Sequence, residues 1–265
     1  MNPIVDLKHV YVARGTEVVL HDVSVLIHAG ENLAILGPNG CGKSTLLKTI
    51  TCDLYPIVRP ETSVNIMGRQ RWDLTTLKRK MGVVTADLPG RQTLSTTGID
   101  AILTGFFSSS TLWPNLHVTA QMRQHAEQII CQIGAETLRD KLVGEMSAGQ
   151  QRRIMIGRAI AGTTSADEGG VQMLLLDEPS NALDIGAQHD LREMLRLLAQ
   201  RGTSILLITH HIADILPEMN RIVMMNAGRI VADGTKAELM NEPRMSELFG
   251  RDIRMSERDG YWNAW

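Results

Sequence analysis

GPNGCGKST, residues 37–45, is the stretch that decides how this chain folds. It fits G-x-x-x-x-G-K-[ST] at every fixed position. Glycines let successive backbone N–H groups turn inward on an anion. The lysine that follows reaches terminal phosphates, and the hydroxyl after it can ligate a divalent cation. The flanks agree. ENLAILG (Glu31–Gly37) is a short apolar run that stops at glycine and reads as a buried strand, and KSTLLKTI (Lys43–Ile50) has helical character. Strand, glycine-rich turn and helix is the order a phosphate loop needs, with the positive end of the new helix aimed at the anion. Gly37, Pro38, Asn39, Gly40, Cys41, Gly42, Lys43, Ser44 and Thr45 are therefore assigned to the phosphates of a nucleotide. Within that set, Lys43 is placed on the β and γ phosphates and Ser44 on Mg²⁺.

Working outward, VQMLLLDEP (Val171–Pro179) and SILLITHH (Ser204–His211) read as further buried strands, and LREMLRLLAQRG (Leu191–Gly202) as a helix stopped by glycine. RIVMMNAGRIVADG (Arg221–Gly234) reads as a hairpin turning at Asn226–Gly228. Strands alternating with helices predict an α/β core around a parallel sheet. From about Asp87 to Ala161 the texture becomes helical. In TAQMRQHAEQIICQIG, residues Met122, Ala126, Ile129, Ile130 and Ile133 recur at helical spacing. AGTTSADEGGVQ (Ala161–Gln172) is polar and glycine-rich and reads as a surface loop.

Bulk composition narrows the function. A formal net charge of −2 offers no basic footprint for nucleic acid. The three cysteines, Cys41, Cys52 and Cys131, have neither disulfide-frame nor zinc spacing, which predicts a reducing compartment. No apolar run is long enough to cross a bilayer, and MNPIVDLKHV lacks the pattern of a signal peptide, so a cytoplasmic location is expected.

Two strand ends carry the remaining chemistry. Asp177 closes MLLLD, where a carboxylate can hold Mg²⁺, and Glu178 beside it suits a general base for the attacking water. His210 closes the third strand, where a neutral imidazole can contact a γ phosphate and orient that water. His211 is read as structural or surface.

Together these residues resemble the nucleotide-binding subunit of an ATP-binding cassette (ABC) ATPase. GPNGCGKST is similar to its Walker A loop, MSAGQ (Met146–Gln150) to its LSGGQ signature and LLLDEP to its Walker B strand. NALD (Asn181–Asp184) resembles its D-loop and THH its His switch, all in the family's order. The resemblance implies a P-loop NTPase core with a parallel sheet, an antiparallel N-terminal β region and an inserted helical subdomain. The expected divisions are core residues 1–86, a signature subdomain at 87–158, a second core part at 159–245 and a tail at 246–265. It implies two copies meeting head to tail, with Ser147, Gly149 and Gln150 of one gripping the ATP held by the other. It also implies membrane-spanning permease subunits, peripheral attachment to the inner face of the membrane through them, and ATP-driven uptake of the iron-complex or molybdate type. The alternative is a soluble ABC ATPase without a channel. Repair-type and ribosome-acting relatives would need a coiled-coil insert or a second cassette, and neither is present.

The chain also departs from the family. The usual Gln that touches Mg²⁺ is replaced by Ala86, with Asp87 next to it as a possible substitute. The adenine-stacking aromatic aligns with Arg14, whose guanidinium can stack on a base, with Tyr11 as the alternative. Ala148 stands where the signature has Gly, a change tolerated if its φ is negative. Cys41 in the phosphate loop is a candidate for oxidation. GFFSSSTLW (Gly105–Trp113) supplies either a local core or aromatic anchors for a permease, and DGYWNAW (Asp259–Trp265) is expected to pack back on the parent domain.

Overall fold

The computed structural model describes residues 3–87, 89–163 and 173–265. The chain begins with β1 (Pro3–Arg14), β2 (Glu17–His28), β3 (Leu33–Leu36), α1 (Lys43–Ile50) and β4 (Ser63–Ile66). Then come α2 (Leu74–Lys80), β5 (Met81–Val84), α3 (Arg91–Leu94), α4 (Gly98–Leu103), α5 (Ala120–Gln132), α6 (Ala148–Thr163), β6 (Met173–Asp177) and α7 (Ile185–Gln200). The last part holds β7 (Ser204–Thr209), β8 (Arg221–Asn226), β9 (Arg229–Thr235), α8 (Lys236–Leu239), α9 (Glu242–Phe249), β10 (Met255–Arg258) and β11 (Tyr261–Ala264). These elements form two compact units, residues 1–74 with 204–265, and residues 75–203.

In the first unit β3 lies between β7 and β8, parallel to both, and β9 joins β8 antiparallel. Every residue of β3 and β7 is buried, which is why both read as continuous apolar runs rather than alternating ones. The β8–β9 hairpin turns at Ala227 and Gly228, both at positive φ, as a two-residue hairpin of this kind requires. β1 pairs antiparallel with β2 and β4, giving the expected antiparallel N-terminal region. The parallel strands and this region make up the α/β fold read from the sequence.

The second unit pairs β5 with β6 in parallel and surrounds them with helices. α5 begins at Thr119, whose hydroxyl caps Met122 N, and it buries Ala126, Ile129 and Ile130. α6 passes close to the turn at 104–107. A Cβ added at Gly105 would lie 2.1 Å from Arg158 O, so only glycine fits there.

Two local readings need correction. α6 runs through Thr163, so residues 161–163 of the expected surface loop are helical. Thr163 is buried there and its hydroxyl bonds Ile160 O at 2.8 Å. Residues 164–172 of that loop lie outside the described residues. α7 starts at Ile185, not near Leu191. Its first turn, IGAQHD, has no apolar periodicity and includes Gly186. Asp184 nevertheless caps it, accepting a bond from Ala187 N at 2.8 Å.

Candidate functional site

The phosphate loop leaves β3 and enters α1 through Gly40 and Gly42, at φ +78° and +104°. Gly42 is the N-cap of α1 and offers no side-chain cap. The first-turn amides therefore receive no side-chain cap from Gly42, and an anion can serve them. Gly37 is fixed from the other side, since a Cβ there would lie 2.2 Å from Met225 O. Lys43 is buried and donates to Gly37 O at 2.8 Å and Pro38 O at 2.9 Å, so its ammonium is held over the cradle. Ser44 is exposed on the same turn, while Cys41 and Thr45 are buried. This cradle, with its uncapped helix and its poised cation, fits the triphosphate of ATP.

His210 follows β7 in the same unit, and with Pro38 and Asn39 it lines one cavity of about 470 Å³. The fold thus brings His210 to the rim of the phosphate loop. The turn behind it is pinned by Thr209, whose hydroxyl donates to Asp214 at 2.8 Å and accepts from His211 N at 2.9 Å. The His211 ring lies 3.9 Å from that of His210, centroid to centroid, so the two rings pack against each other.

In the second unit Asp177 is buried at the end of β6. Glu178 sits at φ +48° and Ala182 at +62°, left-handed positions that cost about 1–2 kcal/mol each for residues other than glycine. Strain of this kind collects at functional turns. Asn181 Nδ2 donates to Glu178 Oε2 at 2.5 Å and so aims the carboxylate. The sequence placed Asn181 in the D-loop without anticipating this orienting bond.

Ser147 precedes α6 and is exposed. Its hydroxyl accepts from Gln150 N at 3.3 Å, and Gln150 Oε1 accepts from Ser147 N at 3.1 Å, a reciprocal cap. One of the hydroxyl's two lone pairs is thereby used, and its O–H remains a donor. Ala148 is the first helical residue and has no positive φ, so its methyl group is accommodated. Gly149 packs against the start of α7, where an added Cβ would lie 2.8 Å from Ala187 Cβ. The signature loop and the end of the D-loop are direct neighbours, and Ser147, Gly149, Gln150 and Asp184 line one cavity of about 340 Å³.

At the departures, Ala86 is exposed, and Asp87 accepts a long 3.4 Å bond from the Thr85 hydroxyl. The segment is gripped from α6. Arg152, 7% exposed, donates to Thr85 O and, at 3.1 Å, to Ala86 O. Burial lowers its pKa, and the charge of Asp87 opposes that shift. This clamp was missed in the sequence. Its only trace is the doubled arginine after the signature. Tyr11 has its ring covered by Arg59, 3.7 Å from the centroid, whereas Arg14 is exposed at the end of β1. Phe106 is buried against His125, and Trp113 is 50% exposed.

Residues 20–181, more than half of the chain, match the family model described as ABC transporter. The chain belongs to the ABC transporter family. A hemin import ATP-binding protein of Photobacterium damselae subsp. damselae is 27% identical, covering 94% of this chain and 89% of its own length. A cobalt import ATP-binding protein of Rhodobacter capsulatus is 30% identical, covering 91% of this chain and 82% of its own. The solved structure of cbiO1 from Clostridium perfringens, part of the ABC transporter complex cbiONQ, shares the fold. Its TM-score is 0.76 at 23% identity, covering 93% of this chain and 94% of its own. This ABC protein is an ATP-hydrolysing transporter subunit. The channel-free soluble alternative does not fit these two relatives, which are named import ATP-binding proteins. Among the described residues no helix is long and apolar enough to cross a membrane.

Proposed function

We propose that this subunit drives uptake as a head-to-tail pair of copies closed around two ATP molecules and docked on membrane-spanning permease subunits. The observation that carries the pairing is Ser147: its hydroxyl caps its own helix yet keeps an exposed donor, which suits a phosphate brought by another copy. The phosphate loop holds the triphosphate, Lys43 neutralises the β and γ oxygens, and Arg14 stacks on adenine, the ring of Tyr11 being covered. Ser44 and Asp177 hold Mg²⁺, which supplies charge neutralisation at the β and γ phosphates when bound. Glu178, aimed by Asn181, takes the proton of the attacking water, and His210 orients that water against the γ phosphate. Ser147, Gly149 and Gln150 complete the site from the second copy. Hydrolysis then removes the shared phosphate contacts and lets the pair open.

Uptake and peripheral attachment at the inner membrane face follow the import names of the relatives, and a metal-containing cargo is the class those names favour. The division into core, 87–158 signature subdomain, second core part and tail is retained as part of this reading. Ala86 removes one side chain that the family uses toward Mg²⁺, and the backbone clamp by Arg152 takes over the task of holding this segment. The test is to purify tagged Glu178→Gln protein from its native cells in mild detergent with ATP. A polytopic membrane protein in stoichiometric amount is expected. Recovery of the cassette alone, from membranes where it is expressed, would contradict permease docking.

A further inference from the structure

We infer that the C-terminal hairpin is a strap that positions His210 for hydrolysis, holding the turn that follows β7 from its outer side. The inference rests on the proposed role of His210 in orienting the attacking water and adds to it the groups that keep the imidazole in place.

The turn has little support of its own. Residues 210–220 link β7 to β8, and their only regular structure is the short turn Ile212–Asp214. Within it the restraints are local: Thr209 holds Asp214, and Ile215 N donates to Ile212 O at 3.2 Å. The far half of the link is anchored, since Ile215, Leu216 and Met219 are fully buried. His210 and His211, at the near end, line the cavity beside the phosphate loop instead. A short turn of this kind is a soft base for a group that has to be set within about 0.5 Å.

The hairpin supplies a second support. No residue of β10 or β11 is buried, so the hairpin adds little to the core. A two-stranded hairpin alone is marginal in water, so its own conformation depends on where it is seated. Its base is rooted on α9, where Ile253 N donates to the Ser246 hydroxyl and Met255 N to Glu242 Oε1, both at 3.0 Å. Arg254 and Trp265 exchange backbone bonds at 3.0 and 3.1 Å and close the ladder at that end. At the tip, Asp259 and Gly260 turn at φ +55° and +81°. Gly260 meets Pro217 so closely that a Cβ there would lie 3.0 Å away. Pro217 is held in turn by Lys236, whose ammonium donates to Leu216 O at 3.3 Å and to Pro217 O at 2.7 Å. Between these two fixed ends β11 runs against Ile212–Asp214, and Asn263, Ala264 and Trp265 line the same cavity as Pro38 and His210. Gly260, Pro217 and Lys236 are thus positioning residues. None of the three lines that cavity, so each acts on the imidazole through the turn.

A misplacement of about 1 Å costs up to about 100-fold in rate, so a loosened strap shows in turnover before it shows in binding. The test uses the full chain with Gly260→Val, which sets a branched Cβ against Pro217 at a positive φ. Its kcat for ATP should fall at least about 10-fold. Its ATP affinity by calorimetry should stay parental, and amide exchange at residues 211–215 should accelerate. A double-mutant cycle with His210→Gln separates positioning from general damage. Gly260→Val should slow single-turnover hydrolysis in the parent but change it less than about 2-fold in the His210→Gln protein. Lys236→Met, which releases the Leu216 and Pro217 carbonyls, should repeat the pattern, and it carries the test if Gly260→Val does not fold. Parental kcat in these variants, or a loss that persists undiminished beside His210→Gln, would overturn the strap and leave the role of His210 intact. Parental hydrolysis by the His210→Gln protein would overturn that role and the strap with it.

Discussion

In the proposed pair Ser147 has two tasks that substitution can separate. Its hydroxyl oxygen accepts from Gln150 N at 3.3 Å, and its hydroxyl hydrogen is assigned to a phosphate in the second copy. Ser147→Ala removes both. The cap is long and exposed, so its loss costs about 0.5–1 kcal/mol, or about 1–4 °C in melting temperature. The phosphate bond is charge-assisted and worth about 1.5–3 kcal/mol. It occurs twice in a two-site dimer, so the dimer weakens by about 3–6 kcal/mol, or about 10²–10⁴-fold in dissociation constant. Ser147→Asp divides the effects, because Asp is as good an N-cap as Ser but sets a carboxylate against the phosphate. Its melting temperature without nucleotide should match the parent, while its dimerisation in MgATP should be lost. Sedimentation equilibrium in the Glu178→Gln background reads the second effect and differential scanning calorimetry the first. If the Ser147→Asp protein dimerises with parental affinity, the hydroxyl faces no phosphate and the reasoning fails.

Gly37→Ala forces a Cβ to within 2.2 Å of Met225 O, so β3 and β8 must part. It should abolish ATP binding and lower the melting temperature, checked by calorimetric titration and thermal denaturation. Arg152→Leu removes two charge-assisted bonds to Thr85 O and Ala86 O but also relieves a desolvated guanidinium. Stability should therefore change by less than about 2 kcal/mol, while amide exchange at residues 85–87 accelerates. His125, packed against Phe106, has its pKa lowered by burial. The unfolded chain therefore binds this proton more readily, and stability falls as pH drops below the ordinary imidazole value of about 6.5. His125→Gln should flatten that part of the urea-unfolding profile between about pH 5 and 7.

Where one segment determines its own conformation, the sequence was readable. The phosphate loop, the β8–β9 turn and the buried strands each carry their geometry in local residue types, and each was found where expected. The start of α7 was not, because Asp184 caps a turn whose residues are exposed and give no periodic signal. Long-range contacts were also invisible. Arg152 reaches a segment some 66 residues away, and Arg59 covers Tyr11 from a loop that pattern reading does not place. Tyr261 and Trp262 are half-buried as expected for a tail that packs back, yet Trp265 stays in solvent, and nothing in DGYWNAW distinguishes them. For the site, residue types suggested the roles. The bond from Asn181 to Glu178 and the reciprocal cap between Ser147 and Gln150 needed coordinates.

The account turns on a site completed by two copies, and complementation tests that directly. Protein with Lys43→Ala lacks a working phosphate loop but keeps its signature, and protein with Ser147→Asp has the reverse. Each alone should be nearly inactive. Mixed in equal amounts, they can form one intact composite site per heterodimer, and phosphate release should reappear on mixing. If the mixture stays as inactive as its components while a parental dimer hydrolyses ATP, the signature does not act across the interface and the central claim is wrong.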